Sequence, residues 1–282
     1  MKIKTENLIK EYNIQFNLFY NELIEYNNKF NLTTITDKKE VEVKHFLDSL
    51  SSINLIKSLI KENKKNIENK AGTDGTIDNK CLTTIKGHYA PTLKGASCPK
   101  AGTDGTINKQ SLTTLKEASC LDVGVGAGFP SVPLAIVLKD INFTLVETIG
   151  KKVSFLNNIK EKLQLKNIDI KKTRIEDLDK SFKFDFCVSR AVASLSTLLE
   201  YTLPFVKKDG FVICYKSANY LQELELSKNA LEILGGTLEK IENYKLELND
   251  EVMDRYLVVI KKTSETPDKY PRNGNKPRLK AL

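Results

Sequence analysis

The stretch Cys120-Leu121-Asp122-Val123-Gly124-Val125-Gly126-Ala127-Gly128-Phe129-Pro130 decides the fold class. A short apolar run of strand character ends in three glycines at alternate positions, and a helical pattern follows at 131–139. Glycines at such a junction let the backbone turn sharply and approach a ligand closely, with the N-terminus of the next helix facing it. A purely structural glycine-rich turn is the alternative. The dinucleotide fingerprint G-x-G-x-x-G, begun at Gly124, requires glycine at 129, where this chain has Phe. Begun at Gly126, it requires glycine at 131, where the chain has Ser.

Outward from this loop the pattern alternates. Strand-like runs fall at 120–125, 143–148, 168–173, 184–190 and 211–216, with helical patterns between them at 131–139, 149–164, 194–203 and 219–234. Two last strands, near 237–248 and 255–262, follow without a helix between them. Short buried strands alternating with helices predict an α/β, doubly wound, Rossmann-like sheet, mostly parallel. The terminal pair predicts an antiparallel closing hairpin. Toward the N-terminus, Leu8, Tyr12, Phe16, Phe19, Leu23, Tyr26 and Phe30 recur at steps of three and four and predict a helix. A second helical segment follows Thr36-Asp37 as N-cap and runs to Ile60.

Residues 61–119 differ in kind: KAGTDGTIDNKCLTTIKGHYAPTLKGASC (70–98) is echoed by KAGTDGTINKQSLTTLKEASC (100–120). The duplicated unit is polar and turn-rich, so it is expected to lie outside the core as a disordered insertion. The organisation is therefore a helical segment (1–60), the insertion (61–119), a ligand-binding domain (120–262) and a tail (263–282).

The chain has 282 residues and 40% apolar residues, enough for a sizeable core, and no apolar run near the ~20 residues needed to cross a bilayer. The N-terminus lacks the apolar segment of a secretory signal, and a cytoplasmic protein is expected. The five Cys include no C-x-x-C pair, and His45 and His88 are the only histidines, so no metal site is expected. The formal charge is +8. Residues 261–282 hold seven basic residues against two acidic ones, a net +5, and so carry more than half of the excess. That distribution suits a polyanionic partner.

Asp122, two residues before Gly124, is typical of D-x-G-x-G methyltransferase loops. Glu147 ends the second strand, 19 residues after Gly128, where a carboxylate can accept hydrogen bonds from both ribose hydroxyls of an adenosine. Dehydrogenases use the same device, so it supports an adenosyl ligand without fixing which. Ile175 and Glu176 fall where the adenine would lie. Ser189-Arg190 sits at the carboxyl end of the fourth strand, facing the crevice of such sheets. Two absences matter: no N/D-P-P-Y/F motif to hold an exocyclic amine, and no Pro-Cys pair to attack a pyrimidine. Cys187, alternating with apolar neighbours, reads as core.

Asn31-Leu32-Thr33, His45-Phe46-Leu47-Asp48-Ser49-Leu50, VGVGAGFPSVPL (123–134), TLVETIGKKVSFL (144–156) and SRAVASL (189–195) together resemble the bacterial RsmG (GidB) family. Tyr270-Pro271-Arg272 resembles the tail of many members. The resemblance spans about 1–60 and 120–282; the insertion and the tail's Lys280-Ala281-Leu282 ending depart from the family pattern. It implies a class I methyltransferase fold, S-adenosylmethionine as cofactor, and methyl transfer to guanine N7 of 16S ribosomal RNA, free or in the small subunit, by a chain expected to be a monomer. Guanine N7 carries a lone pair and no proton, so no residue is assigned as catalytic base. Another RNA position, a small molecule, or a nicotinamide-dependent oxidoreductase are the alternatives.

Cofactor contacts are expected at Gly124, Gly126, Gly128, Phe129, Glu147, Ile175, Glu176 and Arg190. Lys151, Lys152, Arg272, Lys276, Arg278 and Lys280 are expected on RNA phosphates, with neutral substitutions in the tail leaving cofactor affinity unchanged. His45, Asp48 and Ser49 belong to the shared signature without a role that the sequence reveals.

Overall fold

A computed structural model describes residues 4–73, 118–190 and 193–282. The chain opens with helices α1 (Thr5–Glu11) and α2 (Asn13–Phe30), one predicted helix divided at Tyr12. Asn31 ends α2 in the left-handed conformation, φ 50°, which Asn tolerates better than most side chains. Asp37 then caps α3 (Lys38–Val41), its carboxylate accepting the Glu40 N–H at 2.9 Å. A wider helical turn, Glu42–Leu47, carries the chain into α4 (Asp48–Leu50), and α5 (Ile53–Thr73) follows. The last helix runs past the predicted end at Ile60. The duplicated segment expected to lie outside the core falls largely in 74–117, outside the described residues.

The chain then alternates through β1 (Ala118–Val123), α6 (Ser131–Val137), β2 (Ile141–Glu147), α7 (Gly150–Lys162), β3 (Ile168–Lys172), β4 (Phe184–Arg190), α8 (Leu195–Thr202) and β5 (Val206–Lys216). Next come α9 (Tyr220–Leu226) and α10 (Lys228–Leu234), then the hairpin β6 (Gly236–Leu248) and β7 (Glu251–Lys262), and last α11 (Lys276–Leu279). The described strands form one seven-stranded sheet in the order β3-β2-β1-β4-β5-β7-β6. Pairing is parallel from β3 to β5, and β7 is antiparallel to both of its neighbours. The chain thus builds outward from β1 to β3, then returns beside β1 to continue through β4. The gap between the carboxyl ends of β1 and β4 is the topological switch point where such sheets bind ligands.

Burial explains which strands sit where. β1, β4 and the second half of β5 are buried on both faces, as their near-continuous apolar runs require. The edge strands β3 and β6 carry Lys with Asp or Glu and are only partly buried, which discourages edge-to-edge association. On one face, Phe143, Phe186 and Val188 pack with Phe16, Phe19 and Phe46 of the N-terminal helices and with Phe155 of α7. On the other, Leu121, Cys187 and Val212 pack with Leu198 and Leu199 of α8 and Leu234 of α10. Cys187 is fully buried, as its alternation predicts. The tail packs on this second face through Tyr270 and Leu282.

Candidate active site

Two cavities open at the carboxyl ends of the parallel strands. The first, about 380 Å³, lies beyond β1, β2 and β3 and is lined by Gly124, Glu147, Thr148, Ile149, Thr173 to Glu176 and Tyr201, among others. That volume falls in the ~300–1,000 Å³ range of small-molecule sites. The strand-to-helix loop supplies its floor. Gly124, Gly126 and Gly128 have φ of 69°, 61° and 93°, a conformation that side chains disfavour. Of the three, Gly124 is the one exposed to the cavity, so a bare backbone faces the ligand. Gly128 faces inward instead; a Cβ there would lie 2.7 Å from Val132 Cγ2.

Glu147 is tied to the loop it faces. Its Oε2 accepts the Gly126 N–H at 3.0 Å, and Oε1 accepts the Thr148 and Ile149 N–H groups at 2.8 and 2.9 Å. Three backbone donors fix the carboxylate; Oε1 accepts two of them, and Oε2, which accepts one, keeps lone-pair capacity for a ribose hydroxyl. Beneath the loop, Asp122 is buried, and its Oδ2 accepts the Ser131 hydroxyl at 2.6 Å. Its Oδ1 has no hydrogen-bond partner, and burial pushes the carboxyl up to about 8. Asp122 thus holds the start of α6 against β1 as a neutral acid.

The second cavity, about 600 Å³, lies beyond β4 and β5 and is lined by Lys44, His45, Asp48, Arg190, Tyr215, Lys216, Asn219, Glu223 and Arg255, among others. Arg190 organises it. Its Nη1 donates to Asp48 Oδ2 at 2.7 Å and to the Lys44 carbonyl at 3.1 Å, while Nη2 lies 3.1 Å from His45 Nδ1. Tyr244 donates to the other Asp48 oxygen at 2.6 Å. Nδ1 of His45 thus faces a donor in Arg190 and an acceptor in the Lys44 carbonyl at 3.2 Å, while Nε2 lies 3.0 Å from Thr33 Oγ1. Burial, then the Arg190 charge, lower the imidazole to about 3, so it is neutral. Lys216 pairs with Glu223 at 2.6 Å on the far wall.

Aromatic stacking joins the glycine loop to the N-terminal helices. Phe129 stacks on His45 at 4.4 Å between centroids and on Phe19 at 5.2 Å, with the Arg190 guanidinium 5.1 Å from its ring. The residue that breaks the dinucleotide fingerprint is therefore the one by which the N-terminal helices grip the glycine loop.

The predicted residues separate accordingly. Gly124, Glu147, Ile175 and Glu176 come together in the first cavity, and Lys152 and Arg278, expected on RNA, line it with them. Phe129 and Arg190 do not: aromatic packing holds the first in the core, and Asp48 draws the second to the other cavity. Lys151 lies exposed, its ammonium 5.1 Å from the Phe30 ring. Arg272 is spent on buried Glu200, donating from Nε and Nη2 at 2.8 and 2.6 Å. Lys276 and Lys280 are exposed. Sequence reasoning passed over Tyr215, Tyr244 and Lys216, and met Thr33 only as part of a shared motif. The shared signature 45–50 was the available signal, since its polar residues sit on a buried helix face. Ser49 is fully buried; its hydroxyl donates to the His45 carbonyl at 2.6 Å, and its own carbonyl accepts the Tyr215 hydroxyl at 2.7 Å. No cluster of metal-ligating side chains occurs among the described residues, and no described helix is long and apolar enough to cross a membrane.

The family model for rRNA small subunit methyltransferase G (GidB) matches residues 12–66 and 107–253, passing over much of the duplicated segment. The chain is 39% identical over 267 residues to ribosomal RNA small subunit methyltransferase G of Lachnoclostridium phytofermentans, covering 93% of this chain and 86% of that protein. It is 34% identical to the protein of that name from Oceanobacillus iheyensis, covering 100% of this chain and 96% of the relative. The corresponding protein of Lactococcus lactis subsp. cremoris is 35% identical, covering 93% and 88%.

Proposed function

The chain belongs to the rRNA small subunit methyltransferase G family, and from that premise we propose that it transfers a methyl group from S-adenosylmethionine to N7 of a guanine in 16S ribosomal RNA. The observation that carries this reading is the pairing of a bare Gly124 backbone with the fixed Glu147 carboxylate in one crevice. The residues present fit an adenosyl ligand. Glu147 would take the ribose hydroxyls, and Ile175 with Glu176 would flank the adenine. When bound, the cofactor supplies an electrophilic methyl group on a sulfonium centre.

The second cavity, across the switch point, is the place for the base. Its walls offer an amide and a hydroxyl (Asn219, Ser217) beside a cation (Arg255) that suit a guanine edge and a flanking phosphate. Guanine N7 presents an in-plane lone pair and no proton. Methyl transfer to that lone pair would require no side chain to take a proton. His45, held neutral, is a poor base, which agrees with this requirement. What the protein contributes is alignment of the two reactants, a large source of rate in reactions without acid–base demand. Arg190, Asp48 and Phe129 serve it by fixing the N-terminal helices against the end of β4 and the glycine loop.

Calorimetry tests the cofactor half of the reading. S-adenosylhomocysteine binding with little or no NADH binding is expected. Tight NADH binding with no S-adenosylhomocysteine binding would overturn it in favour of an oxidoreductase.

A further inference from the structure

The C-terminal segment is bound to the methyltransferase domain at several points. Tyr270 is 5% exposed within the cluster under α8. Arg272 holds Glu200, itself fully buried, through three donors: its backbone N–H at 2.9 Å and its side-chain Nε and Nη2. Its Nη2 also donates to the Lys280 carbonyl at 2.8 Å, closing the tail on itself. Thr197 of α8 donates to the Pro277 carbonyl at 2.9 Å, and Lys180 donates to the Asp268 carbonyl. Breaking a buried carboxylate–guanidinium pair is costly because one charge is left uncompensated. The segment is thereby held in one place.

That place is the rim of the first cavity. Asn275 and Arg278 line it together with Ile175, Glu176 and Tyr201. Tyr201 belongs to α8, the helix that Arg272 and Pro277 grip through Glu200 and Thr197. The same helix thus presents its buried face to the core and this edge to the tail. Asn275 and Arg278 therefore share the crevice with Ile175 and Glu176, the residues expected to flank the adenine.

We infer that the C-terminal segment is a wall of the cofactor site, with Arg278 and Asn275 contacting the adenine end of the bound ligand. This rests on the proposed S-adenosyl reading of the crevice and deepens it. Adenine offers acceptor nitrogens at its ring edge and a flat π face. A guanidinium suits both, having several N–H donors and a plane that stacks. An Asn amide can match a donor and an acceptor at once. Arg278 is thus a binding residue of the cofactor site, and the expectation that tail substitutions leave cofactor affinity unchanged does not hold for it.

Calorimetry on the full chain, wild type against Arg278→Ala and Asn275→Ala together, tests this. Two ligands are titrated: S-adenosylhomocysteine, and 5′-methylthioadenosine, which shares the adenosine but lacks the amino-acid end. Both side chains are exposed, so the melting temperature should stay close to that of the wild type. The expected result is a loss of about tenfold or more, of similar size for both ligands, as for a charged hydrogen bond removed from the adenosine half. Unchanged affinity for both ligands in a folded variant overturns the inference. A loss seen with S-adenosylhomocysteine alone also overturns it, since the contact would then lie at the amino-acid end. If the wild type binds neither ligand, the S-adenosyl reading itself fails, which is a separate outcome.

Discussion

Arg190 at the end of β4 and Asp48 in the N-terminal helical segment form an ion pair of 2.7 Å, with side-chain exposures of 15% and 7%. The pair bridges two parts of the chain that are far apart in sequence, and it fixes three more groups. Tyr244 donates to the same carboxylate, while the Lys44 carbonyl accepts from the same guanidinium and His45 Nδ1 faces it. The wider helical turn at Glu42–Leu47 precedes Asp48 and includes both Lys44 and His45. Such turns interrupt the regular hydrogen-bond ladder and recur at functional sites.

Asp48→Ala leaves the Arg190 charge and the Tyr244 hydroxyl without their buried acceptor. We expect a loss of ~3–5 kcal/mol, the usual consequence of removing one partner of a buried pair. Urea unfolding followed by far-ultraviolet circular dichroism measures it. A loss within the ~0–1 kcal/mol of a surface ion pair would show that the pair does not hold the N-terminal helices.

Two buried groups should shape stability against pH in opposite directions. His45 is lowered to about 3 from 6.5, chiefly by burial. Below 6.5 the unfolded chain takes up a proton that the folded chain refuses, so this residue makes stability fall as pH drops from 6.5 toward 3. Asp122 is raised to about 8 from 3.8, also by burial. Here the folded chain keeps a proton that the unfolded chain has lost, so stability falls as pH rises from 3.8 to about 8. The slopes oppose each other between 3.8 and 6.5, and above 6.5 the Asp122 contribution stands without its opponent. Asp122→Asn should therefore melt higher than the wild type near neutral pH, with the difference vanishing below 3.8. A gain independent of pH would mean that Asp122 is ionised in the fold.

The glycines of the loop should separate by function. Gly128→Ala brings a Cβ to 2.7 Å from Val132 Cγ2 at a φ of 93°, and destabilisation of about 1–3 kcal/mol is expected from the strained backbone. Gly124→Val, facing the cavity, should abolish S-adenosylhomocysteine binding in calorimetry. Gly124→Val with unimpaired binding would remove the loop from the cofactor site.

The strand and helix alternation from 120 to 262 was legible because short apolar strands between amphipathic helices have few other solutions. Gly124, Glu147, Ile175 and Glu176 were legible for the same reason: their positions follow from strand ends in a known sheet order. At Phe129 and Arg190 the pattern fixes the end of the strand or loop, not the direction of a long side chain. Those directions were decided by partners more than 80 residues away in sequence, His45 and Asp48. The tail was read by its charge, and charge does not reveal that Arg272 has a buried acceptor in Glu200.

Of the six cations expected on RNA, Arg272 is engaged by Glu200, and Lys152 and Arg278 line the first cavity, which leaves Lys151, Lys276 and Lys280 exposed for phosphates. Replacing all three with Gln should weaken RNA binding and flatten its salt dependence, by a slope change of about 1–3 if each contacts one phosphate. Filter binding at several salt concentrations reads both. An unchanged slope assigns these lysines to solvent.

The most direct measurement follows the methyl group. The protein is incubated with tritiated S-adenosylmethionine and small ribosomal subunits, or 16S RNA, lacking the modification, and the labelled nucleotide is then mapped. The account predicts one labelled guanine whose chain becomes cleavable by reduction and aniline, the chemistry of an N7-methylated purine. Label on a different base, on another atom of guanine, or on no RNA at all would contradict it.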